Sequence, residues 1–262
     1  MQNATGTVFY HASWEPKPAI RIDVGGVPGR RIDPPLEARQ VAVLDARGRE
    51  GAVDFAADGL VFLRSPSQLR AVGDFADAQR LARVYDPELE ALVARELGAI
   101  ESVVFDHTVR TDRPGARPPA RHAHGDYTPR SARQRLRDVL GEARASEWAA
   151  GHFGIVNAWR PLARVERAPL AFARPDSVSA EDWVDVELIY PHRRGQVTGL
   201  MPSQRHEWVY LSDMGPEEVA LFRVHDSEGR PAVAHSAVDL DTVAADAALR
   251  QSIESRILVR YE

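Results

Sequence analysis

A chain of 262 residues, 44% of them apolar, has enough nonpolar mass for one large core or two small ones. It contains no cysteine, which excludes disulfides, thiolate metal sites and cysteine nucleophiles, and a formal charge of −5 leaves no basic excess for nucleic acid. No stretch approaches the ~20 apolar residues of a membrane span, and Met1-Gln2-Asn3-Ala4-Thr5 lacks the features of a secretory signal, so a cytoplasmic protein without membrane partners is expected.

Thr7-Val8-Phe9-Tyr10 and Val41-Ala42-Val43-Leu44 read as short strands, separated by a Pro- and Gly-rich loop from Pro16 to Pro35. Residues 53–55 and 60–63 form a second strand pair around Asp58-Gly59, a dipeptide suited to hairpin turns. From Asp74 to Leu97 the apolar residues fall at helical spacing, broken near Asp86-Pro87, which predicts two consecutive helices. Residues 1–99 carry no catalytic signature and are expected to support the sheet that follows and to shape a substrate entrance.

From Ile100 the pattern turns to strands. Val103-Val104-Phe105 leads through His107 to Arg110, and a loop rich in Pro and Arg delivers the chain to Arg121-His122-Ala123-His124-Gly125-Asp126-Tyr127-Thr128. On a strand, a period of two sends the side chains of His124 and Asp126 to one face, where an imidazole and a carboxylate can reach a common point. That is two thirds of a two-His, one-carboxylate iron site. The competing reading is a surface turn in which Asp126 caps a helix beginning near Pro129. Beyond it, residues 132–149 read as a polar helix, and strands are predicted over 153–160, 184–190, 208–211, 219–224, 232–238 and 252–261. Short strands with helices mainly before them predict a single domain over 1–262, mainly β with flanking helices, its jelly-roll core spanning residues 100–262.

A third ligand is available in His235, within the apolar run Ala232-Val233-Ala234-His235-Ser236-Ala237-Val238. Arg250 follows it by fifteen residues and shares a strand face with Ser252, so a guanidinium and a hydroxyl could grip one carboxylate, with Arg256 farther along that face. The plainer alternative pairs these arginines with Glu254 or Asp246 at the surface.

Phe105-Asp106-His107-Thr108-Val109-Arg110, His124-Gly125-Asp126-Tyr127-Thr128, Asn157-Ala158-Trp159-Arg160-Pro161-Leu162, His206-Glu207-Trp208-Val209-Tyr210, His235-Ser236-Ala237 and Arg250-Gln251-Ser252-Ile253-Glu254-Ser255-Arg256 occur in this order. Together they resemble the Fe(II)/2-oxoglutarate-dependent dioxygenases, and within them the hydroxylase/desaturase family of secondary metabolism. The resemblance implies a double-stranded β-helix, a cupin-like jelly roll, that hydroxylates or desaturates a small molecule using Fe(II), 2-oxoglutarate and O2. It implies His124, Asp126 and His235 as iron ligands and Arg250 with Ser252 as the hold on the distal carboxylate of 2-oxoglutarate. Asn157, Arg160 and Arg256 are expected near the co-substrate, and Tyr127, Trp159, His206 and Trp208 near the substrate. His122 and His107 are read as supporting or surface residues, and His11 receives no role. Two rivals stay open: a cupin-like metalloenzyme that does not use 2-oxoglutarate, and a noncatalytic ligand-binding jelly roll.

Overall fold

A computed structural model describes residues 3–26, 30–49, 51–113 and 116–262. Residues 27–29 of the loop expected between Pro16 and Pro35, and 114–115 of the loop before His124, lie outside the described residues. In chain order the strands are β1 (Asn3–His11), β2 (Ala19–Ile22), β3 (Arg31–Ile32), β4 (Leu36–Asp45), β5 (Leu60–Arg64), β6 (Glu101–Thr111), β7 (His124–Gly125) and β8 (Phe153–Pro161). They continue with β9 (Leu170–Ala173), β10 (Trp183–Ile189), β11 (Arg194–Leu200), β12 (Trp208–Tyr210), β13 (Glu218–Asp226), β14 (His235–Ala237), β15 (Asp239–Leu240) and β16 (Gln251–Arg260). The helices are α1 (Phe55–Asp58), α2 (Ala78–Arg80), α3 (Asp86–Leu97) and α4 (Pro129–Ala149).

The strands form two sheets. The larger runs β15-β1-β4-β12-β9-β14-β7-β11-β10-β2-β3 and the smaller β5-β13-β8-β16-β6. This is the jelly-roll architecture expected, and residues before 100 enter it directly: β1 and β4 in the large sheet, β5 against β13 in the small one. Strand β8 is buried at every position because both of its faces are covered. Phe153, Ile155 and Trp159 point into the core between the sheets, while Val156 and Ala158 pack with Leu89, Leu92 and Val93 of α3 on the outside. The large sheet also curls, so that the Phe9 carbonyl at the end of β1 accepts from Ala123 N at 2.7 Å. That contact brings His11 alongside the segment carrying His122 and His124.

Three local expectations are corrected. Asp58-Gly59 is no hairpin turn: Asp54 accepts from Ala56 N and Ala57 N to start one helical turn, and Gly59, at φ 64°, ends it. Asp126 does not cap α4, since Thr128 does so, exchanging hydrogen bonds with Ser131. Asp126 is thereby left for other work. The helical stretch before 97 passes through a wide π turn at Leu81–Tyr85 before α3 begins, with Pro87 in its first turn and Gly98 as its left-handed end.

Candidate metal centre and co-substrate pocket

Strand β7 lies between β14 and β11, with His124 in register with His235 on one side and Gly199 on the other. Residues in register on antiparallel strands point to the same face, so the two imidazoles meet, their ring centroids 4.4 Å apart. Asp126 follows just past the end of β7, and one ligand atom from each of His124, Asp126 and His235 lies within 4.8 Å of the others.

The surroundings fix how each group presents itself. His124 Nδ1 donates to the His122 carbonyl at 2.8 Å and His235 Nδ1 to the Val233 carbonyl at 3.2 Å, which leaves both Nε2 atoms as bare lone pairs. His235 Nε2 is buried and has no partner among the described residues. Asp126 Oδ2 accepts from Asn157 Nδ2 at 2.8 Å and Arg256 Nε at 3.0 Å, while Oδ1 faces His124 Nε2 at 3.7 Å. Burial, then His235 and His122, push the His124 imidazolium well below its ordinary value, so the ring is neutral as a metal requires. Burial alone would raise the Asp126 carboxyl, but Arg256 overrides it and, with the imidazoles and Asn157, holds it far below the carboxylate range. Two neutral nitrogens, one carboxylate oxygen and an orphaned buried lone pair suit a divalent ion of the iron type.

A second polar cluster lies on the small sheet. Arg250 is 1% exposed, and its only bond within the described residues is Nη1 to the Ala168 carbonyl at 2.6 Å. Its Nε and the Oγ of Ser252 are buried without partners among the described residues, and its guanidinium sits 5.5 Å from the centroid of Trp159. Burial, then the neighbouring Arg110, push Arg250 down to about 9, more than the carboxylates of Asp112 and Glu254 offset. Arg110 is in register with Ser252 and donates to the Pro118 carbonyl at 3.1 Å. These groups have the form of a receptor for a carboxylate.

Not all expected site residues gather here. Arg256 is already committed to Asp126, Glu254 and Asp106, so it supports the centre and is not a free cation. Asn157 likewise holds Asp126, and Trp159 is a core residue that underlies Arg250. Tyr127 flanks the centre, its hydroxyl pushed up to about 12 chiefly by burial. Arg160 is a correction: one residue beyond Trp159, it points out of the barrel to Tyr85 Oη at 3.1 Å and the Pro216 carbonyl at 2.8 Å. His206 and Trp208 are also corrected. Val209 joins the inner core, so Trp208 faces the other side of the large sheet, where it donates to Tyr10 Oη at 2.8 Å, and His206 bonds Asp182. Both line a separate groove of ≈ 600 Å³ with Tyr10, Arg39 and Leu44. His107 spans Ser255 and Asp86 on the helical side, as a supporting residue.

A family model described as an oxidoreductase/YMDC permease-like domain matches residues 8–260. The hydroxylase/desaturase efuI of Hormonema carpetanum is 30% identical over 255 residues, covering 85% of this chain and 83% of the relative. The chain belongs to the Fe(II)/2-oxoglutarate-dependent oxygenase family. Another member of that family, the alpha-ketoglutarate-dependent dioxygenase tstK of Talaromyces stipitatus, is 28% identical over 247 residues, with 86% of each chain covered. Among solved structures, the iron and alpha-ketoglutarate-dependent endoperoxidase NvfI superposes with a TM-score of 0.86 at 25% identity, over 98% of this chain and 97% of that one. As an oxygenase of this family the chain uses Fe(II), 2-oxoglutarate and O2.

His11 and Arg110 were not singled out by sequence reasoning. Arg110 carried a usable signal, its place at the end of the Phe105–Arg110 segment; its register with Ser252 comes only with the fold. His11 carried none, since its place depends on how β1 folds across the sheet.

Proposed function

We propose that this oxygenase hydroxylates or desaturates a small organic molecule at a centre in which His124, Asp126 and His235 hold Fe(II), while Arg250 and Ser252 hold the distal carboxylate of 2-oxoglutarate. The observation that carries the reading is the convergence of His124 Nε2, His235 Nε2 and Asp126 Oδ1, each freed for a metal because its other polar atom is already bonded. When bound, iron and 2-oxoglutarate supply oxidative decarboxylation and removal of hydrogen from a C–H bond, with O2 as oxidant.

The chain's own residues do the positioning. Arg256 and Asn157 take one oxygen of Asp126, so the carboxylate offers the metal a single oxygen in a fixed direction. Trp159 holds the Arg250 guanidinium by its face, and Arg110 adds a second positive charge beside Ser252. Because Asp126 retains a carboxylate at the metal, no ligand position is vacated for halide, which favours hydroxylation or desaturation over halogenation. Anaerobic titration of the apoprotein with Fe(II), followed by equilibrium dialysis, tests the ligand set. One ion per chain is expected, with loss of binding in His124→Ala and His235→Ala. Unchanged binding in both variants would remove the basis for the assignment.

A further inference from the structure

The loop 162–169 carries the chain from β8 in the small sheet to β9 in the large one, and it ends in a backbone conformation that its sequence disfavours. Ala168 is buried at φ 48°, in the left-handed region that alanine seldom enters, and it precedes Pro169, where extended backbone is the rule. Such a residue persists only where its surroundings over-determine it. Here they do. Leu162 N donates to the Gln251 carbonyl at 2.8 Å, Val165 N to the Met214 carbonyl at 3.0 Å and Val238 N to the Pro169 carbonyl at 3.0 Å, while Glu166 Oε2 accepts from Ala248 N at 2.8 Å.

The carbonyl presented by this strained residue is the one that accepts from Arg250 Nη1 at 2.6 Å. With Nη1 so engaged, the guanidinium keeps its Nε–Nη2 edge for a carboxylate, and Nε is buried without a partner among the described residues. Two residues beyond Ala168 the chain enters β9, whose Phe172 is in register with His235 on β14. One turn thus touches both ends of the co-substrate pocket: the Ala168 carbonyl sets the guanidinium, and the Pro169 carbonyl with β9 holds the strand that carries His235. 2-Oxoglutarate spans the space between those ends, so a fixed turn fixes the length of ligand that fits. In extended backbone the same residue would swing its carbonyl away from Arg250 and leave the guanidinium a choice of positions.

We propose that Ala168 is a positioning residue: its left-handed turn holds the Arg250 guanidinium at a set distance from the strand of His235 and so makes the pocket select 2-oxoglutarate over 2-oxoadipate, the homologue longer by one methylene. This rests on the reading of Arg250 as the hold on the distal carboxylate, and its test separates the two.

Protein saturated anaerobically with Fe(II) is dialysed against 2-oxoglutarate and, separately, against 2-oxoadipate. The wild type should prefer 2-oxoglutarate by roughly 10–200-fold, the worth of one misplaced methylene. Ala168→Val places a β-branched residue where positive φ is barred to it, so the turn relaxes toward extended backbone. Its Kd for 2-oxoglutarate should rise at least about tenfold, the worth of one hydrogen bond to a charged group, and the preference should collapse while iron affinity is unchanged. Ala168→Gly accepts positive φ freely, so it should keep the preference without lowering the Tm of the apoprotein. Glu166→Ala, a change at an exposed residue that frees Ala248 N, should erode the preference by about threefold, and it decides the matter where Ala168→Val does not fold. A wild type that binds the two acids alike overturns the proposal. So does a preference that survives in Ala168→Val or, where that variant does not fold, in Glu166→Ala, and so does a preference lost in Ala168→Gly. An equal loss of iron affinity in Ala168→Val would also overturn it, by showing general disruption. Failure of the wild type to bind 2-oxoglutarate overturns instead the reading on which the proposal rests.

Discussion

Arg250→Met should move two quantities in opposite directions. In the apoprotein Arg250 is a buried cation with, among the described residues, one carbonyl partner and an unpaired Nε, and its depressed pKa of about 9 reflects burial and the neighbouring Arg110, which Asp112 and Glu254 only partly offset. Exchanging such a group for an apolar side chain of similar length removes a desolvation cost, and the expected gain is about 1–4 kcal/mol of apoprotein stability. At about 2–4 °C per kcal/mol for a chain of this order, calorimetry should show a raised Tm. The same substitution leaves the distal carboxylate of 2-oxoglutarate without its guanidinium. Losing one partner of a buried charge pair costs ~3–5 kcal/mol, so the Kd measured anaerobically with Fe(II) present should rise by roughly two to three and a half orders of magnitude. Arg250→Lys should recover only part, since a point charge lacks the planar fork. The reasoning is refuted if Arg250→Met lowers the Tm and leaves the 2-oxoglutarate Kd where it was.

Arg256→Met should show the reverse pattern: iron affinity falling about 10–100-fold by dialysis, 2-oxoglutarate affinity nearly unchanged once iron is saturating, and an apoprotein destabilised more than the iron-loaded form, because the dication takes over the compensation of Asp126. Asp126→Ala should retain some iron but form no hydroxylated or desaturated product; full product formation would sink the triad. Arg160→Met should lower the Tm through lost contacts to Tyr85 and Pro216 while the 2-oxoglutarate Kd stays constant, and a large change in that Kd would return Arg160 to the pocket. The His225 imidazolium, pushed by burial from an ordinary 6.5 down to about 4, should impose an acid limb on stability. Between these values the unfolded chain binds the extra proton, so stability is complete above pH 6.5 and falls as the pH drops toward 4, by up to about 3 kcal/mol. Denaturant melts of His225→Phe should show a shallower limb, and an unchanged limb would assign the acid loss to other groups.

The parts of the site governed by a period of two were legible in the sequence. His124 and Asp126 two apart, and Arg250 and Ser252 two apart, fall on common faces in the folded chain, and His235 arrives on the neighbouring strand. The same arithmetic explains the misplacements. Arg160 is one residue beyond Trp159, so it had to face away from the group that Asn157 and Trp159 join, and Trp208 lies opposite the inward-facing Val209 for the same reason. Where tertiary folding decides, periodicity is silent. The association of His11 with His122 depends on a single crossing of β1 over the segment before β7 and on a glycine almost two hundred residues away. Strands β9 and β11 escaped notice because Leu170–Ala173 is too short to show alternation, and Arg194–Leu200 is diluted by two glycines and a polar run. Asp58-Gly59 suits both a hairpin and a helix end, and only the Asp54 cap distinguishes them.

The central claim is that His124, Asp126 and His235 hold iron to which 2-oxoglutarate binds. Anaerobic visible spectroscopy addresses it directly, because a keto acid chelated to Fe(II) gives a metal-to-ligand charge-transfer band that neither component shows alone. The band should develop on adding 2-oxoglutarate to the iron-loaded wild type, saturate at one equivalent per chain, and be absent in His124→Ala and His235→Ala. No band in the wild type at saturating iron and 2-oxoglutarate, or an undiminished band in those two variants, would contradict the account.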